Sequence, residues 1–321
     1  MRLRSALPVL AAVVLACSND SKPEPAFDTS SPSVPDVTGA WQQRAPLPTP
    51  RSEVASAVLD GRIYVIGGYI AQGSASSVVE AYDATADRWQ RLSDLPAPRD
   101  HAMAAALNGK VYVFGGNSGN EANSVFAYDV AAGRWSRLRD MPVRRAAGGA
   151  AVLNGRIVLA GGTGDAPADT YVYNPEDDTW TKGSPIAAPR EHLAMTAANN
   201  RVYLVGGRWT DGLMSTNEVL DDVTGGWQTL APLPTARGGT AAGSVDGKVV
   251  VAGGEAFDPT RTFPQVEVYD PASDTWSAAP NLPTPRHGLA VAGLNGVLYV
   301  IGGGPIAGLS VDAHNEALRL Q

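Results

Sequence analysis

Three residue types recur at fixed spacing six times along the chain, and this periodicity limits the fold more than any other feature. A Gly-Gly pair ends each unit's second apolar run; an arginine precedes each pair at one constant distance, and a tryptophan precedes each arginine at another. The pairs begin at Gly67, Gly115, Gly161, Gly206, Gly253 and Gly302; the arginines are Arg51, Arg99, Arg145, Arg190, Arg237 and Arg286; the tryptophans are Trp41, Trp89, Trp135, Trp180, Trp227 and Trp276. Because neither spacing slips in six copies, we predict an array of six repeated units.

Each unit carries the sequence signals of four short strands. In the second unit, an alanine-rich run leads to Asn108-Gly109, and a β-branched and aromatic run then ends at the Gly-Gly pair. Asn-Gly favours the two-residue turn of a β-hairpin, because both positions adopt positive φ. A third strand ends in Tyr128-Asp129, and a fourth contains the tryptophan. Radial packing around an axis buries both faces of such sheets, so the predicted fold is all-β: a six-bladed propeller of four-stranded antiparallel blades.

The two ends of the repeat array are complementary. Trp41 belongs to a fourth strand that has no first three strands before it, while residues 286–303 and 315–320 supply three strands without a fourth. Pairing these incomplete units closes the ring. We therefore predict that the N-terminal strand forms the outermost strand of the last blade.

The order Pro-Arg, Gly-Gly, Tyr-Asp and Trp resembles the Kelch repeat family over residues 39–321, although Arg145 lacks the preceding proline and Leu220 replaces the tyrosine in the fourth unit. The resemblance implies a propeller that acts as an interaction domain for a protein or glycan. A copper oxidase resembling galactose oxidase would need a cysteine within the propeller, and the single cysteine is Cys17. With no phosphate loop and no clustered cysteine–histidine motif, we expect no cofactor and no metal.

The segment before the repeat array, residues 1–38, is predicted to be a targeting segment and a tether. Residues 1–17 combine two arginines with an apolar stretch at 6–16, which is shorter than the roughly 20 residues that span a bilayer. The end of this segment resembles a bacterial lipobox, which implies lipidation of Cys17 and a lipid-anchored protein of the bacterial cell envelope; an ordinary cleaved signal and a secreted or periplasmic protein are the alternative. Residues 18–38 contain Ser, Pro and Asp and are expected to form a disordered spacer.

Net charge and residue usage restrict the partners. The formal net charge is −7, and only four of the 25 basic residues are lysines. A nucleic-acid-binding surface requires a concentrated basic face, so we expect no nucleic acid as partner. We expect a monomeric propeller that meets an unknown protein or glycan.

Recognition is predicted on the face that carries the strand 2–3 loops and the inter-blade loops. The strand 2–3 loops absorb most of the length variation, while the distance from tryptophan to Gly-Gly is the same in every unit. Variable loops on a rigid frame commonly bind ligands. The candidate ligand-face residues are Arg208, Trp209, Asp211, Phe257, Arg261, Phe263, His287 and His314. Trp209 lies outside the repeat and is interpreted either as a stacking platform or as a plug that packs on neighbouring loops.

The residues directly after each arginine are predicted to rim the central channel. A working set for acid–base chemistry would comprise Glu53, Asp100, His101, Glu191, His192 and Arg208. The same side chains would also suit a metal, and a third interpretation is that they simply solvate the channel mouth. Some Kelch-like propellers resemble sialic acid mutarotases, so this set implies a second function, that of a carbohydrate-active enzyme.

The repeated arginines and tryptophans are predicted to be structural, because every blade contains them. Third-strand glutamates are candidate partners for the arginines: Glu80, Glu218, Glu267 and Glu316. Phe126 and Tyr171 occupy that position in the second and third blades, so a carboxylate cannot pair with every arginine. The fourth-strand tryptophans are expected to pack between blades.

Overall fold

The predicted repeats form four-stranded antiparallel sheets, or blades, in a computed structural model that describes residues 39–71, 73–118 and 121–320. The described residues form six such sheets. From the axis outward, blade 1 contains Ala55–Leu59, Arg62–Ile66, Val79–Asp83 and Arg88–Arg91; blade 2 contains Met103–Leu107, Lys110–Phe114, Val125–Asp129 and Arg134–Arg137; blade 3 contains Gly149–Leu153, Arg156–Ala160, Tyr171–Asn174 and Thr179–Lys182.

The remaining blades repeat the pattern. Blade 4 contains Ala194–Ala198, Arg201–Val205, Asn217–Leu220 and Gln228–Thr229; blade 5 contains Ala241–Val245, Lys248–Ala252, Val266–Asp270 and Thr275–Ala279; blade 6 contains Ala290–Leu294, Val297–Ile301, Asn315–Arg319 and the N-terminal strand Gln42–Gln43. Short hairpins extend three of the loops: Arg145–Ala146 with Thr163–Gly164, Arg208–Trp209 with Gly212–Leu213, and Glu255–Phe257 with Thr260–Thr262.

The ring closes as the sequence predicts. Gln42 pairs with Ala317 and Gln43 with Glu316, so the N-terminal strand is the outermost strand of blade 6. The first strands of neighbouring blades contact one another around the axis, including those of blades 6 and 1. The six-bladed propeller is therefore confirmed. Within the ranges described above, no helix is long and apolar enough to cross a bilayer.

The fourth-strand tryptophans fasten each blade to its neighbour. Five donate an indole N–H to a backbone oxygen of the preceding blade at 2.8–3.2 Å, and Trp227 donates to the Oγ1 of Thr170 at 2.9 Å. The bond from Trp41 reaches the carbonyl of Pro280, so the closing strand also joins blade 6 to blade 5. These residues pack between blades, as predicted.

The repeated arginines are buried and connect Gly-Gly pairs to third strands. The Arg51 Nη1 donates to the carbonyls of Gly67 (2.9 Å) and Val78 (2.7 Å), and its Nη2 donates to Glu80 at 2.7 Å. Burial lowers the pKa of Arg51 to about 10, against the opposing effect of Glu80, so the guanidinium stays charged at neutral pH. The second glycine of each pair donates its N–H to the carbonyl of the next blade's arginine, at 2.8–2.9 Å in all six blades.

Glycine is required in these pairs because backbone oxygens of the next blade and of the same repeat approach so closely. A Cβ on Gly67 would lie 2.5 Å from the Arg99 carbonyl oxygen, and one on Gly68 would lie 2.4 Å from the Ser52 carbonyl oxygen. Both glycines also have positive φ, at 60° and 93°. A larger residue at Gly67 would push neighbouring blades apart, and one at Gly68 would displace the segment that leads into the first strand of its own blade.

The predicted arginine–glutamate pairs form in four blades. Each joins buried side chains: Arg51 with Glu80, Arg190 with Glu218, Arg237 with Glu267, and Arg286 with Glu316. In blades 2 and 3 an aromatic ring replaces the carboxylate. The Arg99 guanidinium lies 5.0 Å from the centroid of Phe126, and that of Arg145 lies 5.6 Å from the centroid of Tyr171. In the two blades where the sequence predicts no carboxylate partner, the arginine therefore makes a cation–π contact instead.

Neutralising one carboxylate tests how much these arginine–glutamate pairs contribute to the stability of the fold. We expect Glu218→Gln to lower the free energy of unfolding by about 3–5 kcal/mol, because Arg190 would remain buried without its counter-charge. The matched control is Glu176→Gln, since the Glu176 side chain is 73% exposed and lies 3.9 Å from Arg156; it should change stability by less than about 1 kcal/mol. Denaturant unfolding measures both. Equal stabilities for the two variants would contradict a structural role for the buried pair.

Candidate functional site

A ring of six backbone hydrogen bonds surrounds one mouth of the channel. It is formed by the second residue after each repeated arginine: Glu53, His101, Ala147, His192, Gly239 and Gly288. All six have φ between 51° and 63°. From His101 onward, each N–H donates to the carbonyl of the preceding member at 2.8–3.0 Å, and the Val54 N–H closes the ring on Gly288 at 3.4 Å. We call these residues the mouth ring; its left-handed backbone was not foreseen from the sequence.

Three side chains of the mouth ring meet at one point. The Nε2 atoms of His101 and His192 are 3.0 Å apart. The Oε2 atom of Glu53 lies 3.3 Å from the first and 3.9 Å from the second. Ala147 separates the two histidines along the ring, and its small side chain lets the imidazoles approach. The predicted clustering of these residues is therefore present in the structure.

Neighbouring carboxylates orient both imidazoles. The Nδ1 of His101 lies 2.5 Å from the Oδ1 of Asp100, and the Nδ1 of His192 is hydrogen-bonded to the Oε2 of Glu191. Asn117 donates to the same Asp100 oxygen at 2.7 Å. Since a carboxylate accepts hydrogen bonds, each Nδ1 carries a proton, and this fixes which ring nitrogen faces the mouth.

Arg208 connects this cluster to blade 5. Its Nε donates to Glu191 at 2.6 Å, and its Nη1 donates to Glu255 at 2.6 Å. Glu255 was not identified from the sequence, nor was Asn117. Both directly follow a Gly-Gly pair, as Arg208 does, and residues at that position bridge to the residue after the same repeat's arginine. That second fixed spacing, from Asp100 to Asn117 and again from Glu191 to Arg208, is the signal that would have located them.

His287 lies beneath the mouth, between two carboxylates. Its Nδ1 is 3.1 Å from Glu53 and 3.3 Å from Glu255, and its Nε2 is 3.1 Å from the carbonyl of Ile306. The His287 side chain is 1% exposed. It therefore supports the site from below, whereas the sequence placed it on the ligand face. Among the described residues, two groups bring potential ligand atoms within 4.8 Å of one another: Glu53 with His101 and His192, and Glu53 with Glu255 and His287.

The charges of the cluster reinforce one another. Burial by itself would raise the pKa of Glu53, but the hydrogen bond with His287 and the charges of His101 and His192 lower it far below its usual range. Burial would lower the pKa of His101, but the bond to Asp100 and the charge of Glu53 raise it. Glu191 is likewise shifted: burial raises its pKa, and His192 and Arg208 more than reverse this. The mouth thus holds alternating charges in a half-buried setting.

The mouth opens into a cavity along the axis. Its volume is about 390 Å³, and it is lined by mouth-ring side chains and by the small residues of all six first strands. This is large enough for a small ligand, since ligand pockets in proteins are commonly about 300–1,000 Å³. The alanine-rich first strands leave the axis open because they carry little side-chain volume.

The predicted ligand-face residues divide into exposed and buried groups. Phe257 is 54% exposed, and its ring centroid lies 5.0 Å from the Arg208 guanidinium. Asp211 is exposed at the turn of the hairpin that contains Trp209, and Trp209 itself is half-buried. The Trp209 side chain is therefore partly used in packing, in line with the second of its two interpretations.

One other prediction for this face requires correction. Phe263 is 3% exposed, because its N–H bonds to Gly254 (2.8 Å) and folds the loop back onto blade 5. Arg261 is exposed and covers it, with its guanidinium 4.7 Å from the ring centroid. His314 is bonded to Asp312 at 2.5 Å, on the loop before the third strand of blade 6. None of the described contacts brings His314 to the mouth ring.

Comparisons with known proteins identify the repeat. The KLHDC2/KLHL20/DRC7 Kelch-repeats domain matches residues 26–207, more than half of the chain, and the Kelch motif matches residues 189–234 and 236–283. The chain belongs to the Kelch repeat family. A solved structure titled "Structure of YjhT" has a TM-score of 0.73 against this Kelch propeller at 20% identity, covering 85% of this chain and 95% of that one. This likeness supports the fold.

Curated Kelch relatives share part of the array. The chain is 31% identical over 100 residues to Kelch-like protein terF of Aspergillus terreus, 34% over 92 residues to F-box/kelch-repeat protein At1g67480 of Arabidopsis thaliana, and 35% over 91 residues to Kelch-like protein 41 of Mus musculus. The matches cover 30%, 28% and 26% of this chain and 22%, 24% and 15% of those proteins. The chain thus spans less than a quarter of these relatives' length.

Proposed function

We propose that this Kelch propeller binds a glycan at the mouth ring, with the loops of blades 4 to 6 contacting the sugar. The observation that carries the proposal is the position of Phe257, an exposed aromatic ring packed over Arg208 beside a cluster of carboxylates and imidazoles. A sugar combines hydroxyl groups, which need paired donors and acceptors, with an apolar ring face that packs on an aromatic side chain. The mouth supplies both kinds of contact.

A protein partner is the main competing occupant, because Kelch propellers are commonly interaction domains. A flat aromatic surface would favour it, yet Phe263 is buried and Trp209 is half-buried. The exposed apolar side chains that remain on the adjoining blade 6 loop are Ile306 and Leu309. That loop is bonded to the cluster, since the Gly308 N–H donates to Glu255 at 2.8 Å. A charged recess with a narrow apolar border suits a small polar ligand better than a broad protein surface.

Removing the aromatic ring tests this site. On an array of neutral and acidic oligosaccharides, full-length protein should bind at least one class. Phe257→Ala should weaken that binding at least about tenfold, because covering a phenylalanine ring with the bound sugar contributes about 1.5–3 kcal/mol. Glu176→Gln is the control, since the Glu176 side chain is 73% exposed in the turn between the third and fourth strands of blade 3 and does not line the cavity. Absence of glycan binding, or equal affinity of Phe257→Ala and wild type, would contradict the proposal.

Acid–base catalysis on a sugar is a second candidate function. Two histidines, each bonded to its own carboxylate, converge with Glu53 at the cavity entrance. Interconversion of sugar anomers needs one group to remove a proton and another to supply one, and such transfers accelerate reactions about 10²–10⁴-fold. The resemblance to sialic acid mutarotases suggests N-acetylneuraminic acid as the substrate.

Anomer exchange measured by NMR separates this candidate from binding alone. Full-length protein should speed equilibration of freshly dissolved N-acetylneuraminic acid, and Glu53→Gln should remove most of that acceleration, by about 10²–10⁴-fold. The Glu176→Gln protein serves again as the control and should retain the wild-type rate. An equilibration rate equal to that in buffer would rule out catalysis. It would not affect the glycan-binding proposal, which the oligosaccharide array tests.

We further propose that the propeller is anchored to a bacterial envelope through Cys17, with residues 18–38 as a spacer. These residues lie outside the described part of the chain, and the support is their sequence: an apolar stretch that ends in a small residue before the cysteine. In a bacterial host fed labelled palmitate, the wild type should carry label and fractionate with membranes, whereas Cys17→Ala should do neither. An unlabelled wild-type protein would support the secreted alternative.

A further inference from the structure

We infer that His101, His192 and Glu53 bind one divalent transition-metal ion at the mouth ring. Their three facing atoms form a triangle with sides of 3.0, 3.3 and 3.9 Å. The centre of the circle through the corners of such a triangle lies about 2.0 Å from each atom, which matches the usual Zn–N and Zn–O distances of about 2.0–2.2 Å. A point at ligand distance from all three donors therefore exists in the plane of these atoms.

The tautomers leave both facing nitrogens as lone-pair donors. Each Nδ1 is committed to a carboxylate, Asp100 for His101 and Glu191 for His192. A neutral imidazole that donates from Nδ1 presents an unprotonated Nε2. Two such lone pairs 3.0 Å apart would repel each other, so a cation lies between them, either a proton shared in a hydrogen bond or a metal ion. A metal ion bound to both nitrogens and to Glu53 removes that repulsion.

Ring orientation agrees with a shared ligand position. The two ring centroids are 4.8 Å apart and the ring planes are inclined at 73°. Imidazoles aimed head-on along the line between their Nε2 atoms would have centroids further apart, so the rings are tilted. Tilted rings of this kind can direct both lone pairs to a common point. The Glu53 carboxylate lies close to the same nitrogens and supplies the third donor.

The carboxylates behind the histidines are themselves held in place. Asn117 donates to Asp100 at 2.7 Å, and Arg208 donates to Glu191 at 2.6 Å. Histidine ligands in metal sites usually donate their second N–H to a carboxylate or carbonyl that fixes the ring. Here each of these carboxylates is itself held by a further side chain, Asn117 for Asp100 and Arg208 for Glu191. A solvated polar mouth, the third interpretation of these residues, would not require such fixed orientation.

The neighbouring group around His287 is explained without a second metal. The Nδ1 of His287 faces Glu53 and Glu255, and its Nε2 faces the Ile306 carbonyl oxygen. All of these are acceptors, so both ring nitrogens carry protons and the ring is an imidazolium. This cation neutralises part of the carboxylate charge beside the proposed site. We therefore infer one metal ion per chain.

Two imidazoles and one carboxylate define the class of metal. Imidazole nitrogen suits zinc, copper, iron and nickel, whereas magnesium and calcium prefer oxygen donors throughout. Three protein ligands leave coordination positions for water or for a ligand oxygen, as in catalytic zinc sites. From the sequence, a metal was one of three interpretations of these side chains, and none was expected because no clustered cysteine–histidine motif is present. The inference goes beyond the glycan proposal and does not depend on it.

Metal binding is tested on full-length protein that a chelator has freed of metal. Calorimetric titration with Zn²⁺ should give one ion per chain, Co²⁺ should give the visible absorption of a bound ion, and Mg²⁺ should give neither. His101→Asn and His192→Asn should each abolish zinc binding; asparagine is chosen because it tolerates the positive φ of both positions. Asp100→Asn and Glu191→Gln should weaken binding about 10–100-fold and leave one site per chain.

His314→Asn is the matched control, because His314 is also bonded to an aspartate but lies away from the mouth ring. It should bind Zn²⁺ as the wild type does. Thermal melting of the wild type with and without Zn²⁺ gives a readout that needs no variant, and Zn²⁺ should raise the melting temperature. A folded wild type that binds neither Zn²⁺ nor Co²⁺, or variants of His101 and His192 that bind like wild type, would overturn the inference. The result of the glycan array neither supports nor contradicts metal binding, because the two experiments measure different ligands.

Discussion

The structure depends on one backbone contact that every blade repeats. The N–H of the second glycine in each Gly-Gly pair reaches the carbonyl of the next blade's buried arginine, and the last such bond, from Gly303 to Arg51, joins the final repeat to the first. The arginine side chain then returns to its own blade and binds the carbonyl of its own Gly-Gly pair, as Arg51 does with Gly67. Backbone and side chain of one residue therefore tie two blades together. Any insertion between arginine and Gly-Gly would shift these partners out of register, which explains why their spacing is the same in every unit.

This contact also creates the candidate site. Because each arginine is fixed between two blades, the two residues after it must turn inward before the first strand can begin. The turn places the second of them in the left-handed region and links it to its counterpart in the preceding blade. Side chains at this position converge on the axis, whatever their chemistry. A stable frame thus presents six variable positions toward one another, and the chemistry of the mouth follows from which residues fill them.

Much of the architecture follows from the sequence, because the same physical demand is repeated in every unit. Trp41 and the last three strands each lacked partners, and the structure pairs them. The proximity of Glu53, His101 and His192 was also predicted, since their distance from the arginine is fixed. Glu255 and Asn117 were missed because the fixed spacing from the residue after each arginine to the residue after each Gly-Gly pair was not used, and because the contact of Glu255 with Arg208 joins two blades. Phe263 was misplaced for a related reason: the backbone bond that buries it depends on how its loop folds back.

The side chains of the mouth ring differ from blade to blade, which sets this ring apart from the repeated structural elements. Six equal side chains would produce either a ring of like charge or an apolar plug. Here Glu53 and His101 are consecutive, Ala147 lies between the two histidines, and Gly239 and Gly288 complete the ring. A large residue in place of Ala147 would occupy the space in which the imidazoles meet. The backbone conformation at this position does not itself require alanine, since residues as large as histidine adopt it elsewhere in the ring. The three small residues of the ring therefore leave space in which the side chains of Glu53, His101 and His192 can meet.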